Sequence, residues 1–439
     1  MFLQYAIWGA WLPLLWPFLS GHRGFSPSEI GNMFAIGAVG AIVAPFIAGQ
    51  IADRWFNTEK FLGISHILGG ILVWQLASLE SYKSFLVFSL LYSLIYSPTL
   101  SLTNSLAFHH LPDRDRDFGK IRVWGTIGWI VVGIGIGQWL LHQHTPIGLE
   151  AEAVSAAQAA GMADAFKLSG LLGIVMGIFC FFLPSTPPAK EEKKSAIGGA
   201  LDAIRLQPLL TLFLIAVPIS CVHQFYFVHT APFLGQFQNQ AEGFIDIVNK
   251  IVGVGGGGLM TIGQMAEIGV LALIPLFAKK YSRKALLCVG IAAYALRMFL
   301  FAYSPGFPEA AQLPAIILGI AMHGLCFGCF IFVAFMVVDE ECATDVRASA
   351  QSLFNLVIVG IGIIVGSKVA GYVAEISTVN EVMNYQKLFS APMWAALACL
   401  VIMQLCYPNK PPATAADGPS DKDADLDIDS DTTSNNGDE

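Results

Sequence analysis

GQIADRWFNTEKFL, residues 49–62, and LFAKKYSRKALL, residues 276–287, are basic turns set between long apolar runs of a 439-residue chain. Asp53-Arg54 and Lys279-Lys280 are 226 residues apart. A second pair repeats the offset: Arg122 opens KIRVWGTIGW and Arg347 opens DVRASAQSLF, 225 residues later. Two independent pairs at nearly one offset argue for an internal duplication. Runs of roughly twenty apolar residues mark membrane-spanning helices. They fall near 2–20, 29–51, 61–79, 84–108, 121–141, 164–184, 207–233, 255–277, 284–303, 312–338, 348–374 and 386–407. That is twelve, divided six and six by the polar stretch STPPAKEEKKSAIGGALDAIR.

Composition supports a membrane protein. The chain is 55% hydrophobic and 13% charged, with mean hydropathy +0.62. A soluble domain is about 25% charged, and its core could not hide so much apolar residue. Of the net charge of −8, the stretch from Asn409 to Glu439, with nine acids and two lysines, accounts for −7. DKDADLDIDSDTTSNNGDE lacks the glycine and closing glutamate of a calcium loop, so it reads as a solvated, disordered tail. Met1 leads straight into FLQYAIWGAWLPLLWPFLS, with no basic flank or cleavage pattern, which reads as a first span. An even number of spans puts both termini on one side. Sixteen Lys and Arg lie in the even-numbered loops and tail against six in the odd-numbered ones, which predicts cytoplasmic termini in a cytoplasmic (inner) membrane protein.

Six plus six duplicated helices with basic turns after the second and eighth is the layout of a major facilitator transporter, an all-α integral membrane fold. The predicted units are a first six-helix half at 1–184, a cytoplasmic linker at 185–206, a second half at 207–407 and the acidic tail at 408–439. In such folds substrate sits near the midplane, between halves that rock about it. Asp53 and Arg54, at the inner end of the second span, read either as a gate element or as a tight turn, and the gate is favoured because such contacts break and form during rocking.

Polar residues inside the spans then become candidates. Glu267, in GQMAEIG, is an acid deep in a span, which costs at least ~2.5–3.5 kcal/mol on insertion scales and is by default functional. Gln264 shares its helical face, three residues earlier. Arg122, Thr126 and Trp129 share a face of the fifth span. Arg122 either offers its planar fork of donors to substrate oxygens or snorkels to the interface. The seventh span holds His223, Gln224, Tyr226, Phe227 and His229. An amide beside aromatic faces suits a flat heteroaromatic ring, though plain helix packing also explains it. His323 and Phe327 lie four apart in the tenth span, and Arg297 in the ninth reads as structural. Cys326 and Cys329 form a CxxC inside an apolar helix, with no second ligand pair, and read as packing. No nucleophile–base set, phosphate loop or metal-spaced cluster appears, so an enzyme is disfavoured and neither a cofactor nor a metal is expected.

FLQYAIWGAWL, SPTLSLTNSLAF, IRVWGTIGW, GQMAE, ALRMFLFAY and RASAQSLF resemble the nucleoside:proton symporter family of the major facilitator superfamily, over about residues 2–407. The resemblance implies import of nucleosides by alternating access, coupled to protons, in a monomer that needs no nucleic acid. It implies substrate contacts at Arg122, Thr126, Trp129, Gln224, Phe227, Gln264, Glu267, His323 and Phe327. Three positions depart from the family pattern: Phe227 replaces a polar contact, His323 a tyrosine, and Gly328 an acid on the tenth span. With no acid at Gly328, Glu267 and His323 remain as candidate proton carriers. A sugar or oligosaccharide symporter of the same fold, or a membrane sensor without transport, are the competing readings. The first would want fewer stacking aromatics and more acids; the acidic tail is the feature that fits the second.

Overall fold

The structure, a computed structural model, describes residues 1–47, 57–187, 197–239, 243–380 and 382–409. Asp53, Arg54 and nearly all of the acidic tail lie outside the described residues.

Twelve long helices follow in order: α1 Phe2–Gly21, α2 Pro27–Ile47, α3 Thr58–Leu76, α4 Tyr82–His110, α5 Arg114–Gln143, α6 Ala163–Cys180, α7 Leu209–Gln238, α8 Gly257–Lys280, α9 Arg283–Tyr303, α10 Glu309–Glu341, α11 Ser349–Ser377 and α12 Tyr385–Cys406. Eleven of these segments are long and apolar enough to cross a membrane. The exception, α3, carries Glu59, Lys60 and His66 within 19 residues. Lys60 is exposed, while Glu59 and His66 are satisfied inside the protein. Glu59 accepts the Thr186 backbone N–H at 2.9 Å, and His66 is bonded to Gln4 Oε1 at 2.8 Å. Its other flank presents Ile64, Leu68, Ile71 and Trp74, each more than two-fifths exposed, as a surface facing lipid needs.

The predicted spans are found, with shifted ends. α7 runs five residues past its predicted end because Gln238 is buried there, donating to the Gly253 carbonyl at 2.8 Å and accepting the Gly256 N–H at 2.7 Å. An apolar run cannot signal a polar residue satisfied by the protein. Among the described residues, three predicted loops contain short helices: Ala151–Gly161 before α6, Ile197–Ile204 between the halves and Phe244–Val252 before α8. The glycine run before α8 forms the turn into it: Gly253, Gly255 and Gly256 all have φ near +80°, a conformation that costs glycine no side-chain clash.

The two halves meet through like-placed helices. α2 crosses α11 where a Cβ on Gly31 would lie 2.8 Å from the Ser367 carbonyl and 3.1 Å from Gly371 Cα. α5 crosses α8 where a Cβ on Gly133 would lie 3.0 Å from Thr261 Cγ2, and a Cβ on Gly137 would lie 2.6 Å from the carbonyl of Val252, the last residue of the short helix that leads into α8. Trp16 of α1 packs edge-on against His229 of α7, with ring centroids 4.4 Å apart. All of these contacts lie toward the end of the bundle where α1 and α5 finish and α8 begins. The halves are therefore in close contact there, with backbones touching at small residues.

Candidate functional site

The site lies on the other side of those contacts, around Glu267. That residue is ten positions from the start of α8 and thirteen from its end, roughly 15 and 20 Å at the helical rise, so it stands mid-membrane. Three glycines fix its surroundings. Gly263 lets α8 approach so closely that a Cβ there would fall 2.8 Å from the Tyr226 hydroxyl and 3.0 Å from His323 Cβ. A Cβ on Gly324 of α10 would meet the Ala266 carbonyl at 2.6 Å and the Glu267 backbone nitrogen at 2.9 Å. One on Gly328 would meet Val270 at 2.7 Å. Helices α8 and α10 are thus seamed along Gly324 and Gly328, one helical turn apart. The acid absent at Gly328 has a physical counterpart: side-chain volume there is taken by Val270.

Just past His323, α10 changes to a π-helix over Cys326–Phe332, and α11 does so over Leu356–Gly362. Such bulges concentrate at functional sites. Cys326 and Cys329 are buried free thiols within the first.

His323 is the centre of the second half's contribution. Its Nε2 stands 3.5 Å from Glu267 Oε2, with the histidine side chain 2% exposed and the glutamate 15%. Its Nδ1 is 3.2 Å from Arg297 Nη1. Its ring is stacked on Tyr226 at 4.8 Å and on His223 at 5.6 Å. Phe227 meets it edge-on at 6.0 Å and Phe327 is tilted against it at 6.4 Å. Tyr294 shares a 2.7 Å hydrogen bond with His223 Nδ1. Arg297 is fully buried, its guanidinium over the rings of Tyr226 and Tyr294 at 4.3 and 5.0 Å. A cation between aromatic faces is held by their quadrupoles.

The first half contributes from α1 and α5. Arg122 places its guanidinium over the Tyr5 ring at 4.2 Å. Trp129 packs edge-on against Trp8 at 6.0 Å. Thr126 lies between them on α5 and is partly buried. Arg122 and Glu267 are close enough for their charges to interact across the two halves, and Tyr5 senses both.

Most of the predicted residues therefore gather in two facing groups: Arg122, Thr126 and Trp129 on one side, Phe227, Gln264, Glu267, His323 and Phe327 on the other. Gln264 is buried, and its Oε1 has no hydrogen-bond partner among the described residues, which leaves an acceptor beside Glu267. Gln224 stands apart from the ring cluster. It is buried, with its Cβ against α11 at Gly366. Arg297, taken from sequence as structural, belongs to the cluster. Tyr294 joins it too, while Tyr5 and Trp8 join the group on the other side; none of the three is singled out by the sequence, whose signal is only helical spacing, as for Tyr294 and Arg297 three apart in α9.

The chain as a whole is similar to known proteins. A family model described as nucleoside H+ symporter matches residues 1–410. The chain is 32% identical over 412 residues to YegT of Escherichia coli (strain K12), provisionally named a nucleoside transporter, covering 91% of this chain and 89% of that one. It is 28% identical over 410 residues to the xanthosine permease of the same organism, covering 91% and 92%. A crystal structure of the nucleoside transporter NupG superposes with a TM-score of 0.79 at 25% identity, over 92% of this chain and 96% of that one. With twelve helices in two halves and a midplane site between them, the chain is an all-helical membrane protein of the major facilitator fold and belongs to the nucleoside:proton symporter family.

Proposed function

We propose that the chain imports nucleosides with protons across the cytoplasmic membrane by alternating access. The observation that carries this is the position of Glu267: a mid-membrane carboxylate 3.5 Å from His323 Nε2, with Arg122 of the other half across the site and aromatic rings on both sides. Trp129, Phe227 and Phe327 offer faces to a base. Gln264, Glu267 and Arg122 offer acceptors and donors to ribose hydroxyls and to the base edge. Glu267 is the proposed proton carrier, since a carboxylic acid at this depth binds a proton from one side and releases it to the other as the halves rock.

The same reading takes residues 1–184 and 207–407 as the rocking halves, with 185–206 as a cytoplasmic linker, and the functional unit as a monomer. Both termini are placed inside by the Lys/Arg asymmetry. The close contacts of α2 with α11, α5 with α8 and α1 with α7 then fall at the extracellular end, so substrate exchanges with the cytoplasm from this conformation. The test is uptake of labelled uridine, adenosine and a disaccharide into proteoliposomes, with and without an inward proton gradient. Gradient-driven accumulation of the nucleosides alone supports the proposal. Accumulation of the disaccharide instead favours the sugar symporter, and binding without uptake favours the sensor.

A further inference from the structure

We infer that Arg297 is a positioning residue for coupling: it holds His323 as a neutral ring with its N–H turned toward Glu267, leaving Glu267 as the one group that titrates at the centre of the site. The inference rests on the proposed role of Glu267 and adds residues to which that role assigns nothing.

The argument is one of donors and acceptors. A guanidinium donates through all its N–H groups and accepts through none. Arg297 Nη1 lies 3.2 Å from His323 Nδ1, so that nitrogen must present its lone pair. In the neutral ring the proton is then on Nε2, the nitrogen that stands 3.5 Å from Glu267 Oε2. A ring that took a second proton would set N–H against N–H at Nδ1. Arg297 has little freedom to turn away, being fully buried and lying over the Tyr226 and Tyr294 rings.

The other neighbours do not offset this. From α7, His223 and Tyr226 stack on the ring, and His223 Nδ1 is engaged by Tyr294 of α9. Phe227 and Phe327 add apolar edges, and Cys326 on α10 itself is a buried thiol. Across the site, Arg122 of α5 and Tyr5 of α1 face Glu267. Among the described residues paired with His323, Glu267 is the one acid. The ionised carboxylate thus has a fixed N–H on the α10 side, and the transported proton binds and leaves at Glu267.

The test uses the full-length protein in proteoliposomes. His323→Gln keeps an acceptor for Arg297 and a donor for Glu267 but cannot titrate; it is expected to lower equal-concentration exchange and proton-driven accumulation together, so that their ratio stays that of the wild type, whereas His323→Leu is expected to lower that ratio. Arg297→Met removes the donor that keeps Nδ1 unprotonated, so the pH profile of substrate exchange should gain an ionisation that the wild type lacks. Arg297→Met/His323→Gln should lose that added ionisation. If His323→Gln exchanges substrate but no longer accumulates it, His323 carries the proton and the inference is wrong. An unchanged pH profile in Arg297→Met also overturns it. Glu267→Gln reports separately: full accumulation in that variant removes the role of Glu267 itself, whatever the His323 variants do.

Discussion

Glu267 and Arg122 are the residues whose chemistry decides most. Removing titration at Glu267 while keeping its shape should separate the two tasks proposed for it. Glu267→Gln is expected to exchange labelled nucleoside at equal concentrations yet fail to accumulate it under an inward proton gradient; exchange and accumulation falling together would make Glu267 a ligand only. Arg122 lies over Tyr5 at 4.2 Å rather than reaching free toward the membrane surface, which supports the binding role over snorkelling. Lysine keeps the charge but loses the planar fork. Arg122→Lys should therefore cut uptake by roughly tenfold or more, the equivalent of about 1.4 kcal/mol of lost interaction, while membrane expression stays normal. Wild-type uptake by this variant would return Arg122 to the interface. Both residues were legible in sequence because charge inside an apolar run is conspicuous. Arg297 is equally charged, but nothing along the chain shows that it points at His323.

The elements hold these residues by close approach rather than by polar ties. Helix α10 touches α8 at Gly324 and Gly328, where added carbons would meet Ala266, Glu267 and Val270 within 3 Å. Gly328→Val overpacks that seam, a change that typically costs 1–3 kcal/mol. The expected outcome is a lower melting temperature in detergent and a larger loss of transport than of stability, because Glu267 moves with the helix. An unaltered melting curve with normal uptake would mean the seam has slack. Helix periodicity along the chain shows that α8 and α10 exist; it carries no sign of the π turn at Cys326–Phe332.

At the scale of the molecule, the contacts at one end define the state. A Cβ on Gly137 would sit 2.6 Å from the Val252 carbonyl, so Gly137→Leu should push α5 away from the turn that leads into α8, at the end assigned to the outside. Nucleoside exchange is expected to slow, and an added cysteine near that seam should react faster with an impermeant thiol reagent applied from outside. Unchanged labelling would mean closure at that end does not pass through this contact. The orientation itself is tested by a cysteine placed in the acidic tail, which should resist the same reagent in intact cells and react after permeabilisation.

Sequence by itself determined the number of helices, their division into halves, the family and most of the polar residues of the site, because each of these is written in local hydropathy, repeated spacing or short motifs. Even the weakly apolar α3 was visible, since its lipid-facing residues still recur at helical spacing. Which polar residues meet was decided only in three dimensions. Gln224 and His323 both stood out as polar groups on apolar helices, yet the Gln224 Cβ lies against Gly366 of α11 while His323 stands between Arg297 and Glu267. That difference depends on how helices from distant parts of the chain rotate against one another, and glycine-to-backbone contacts such as Gly324 on Ala266 set those rotations.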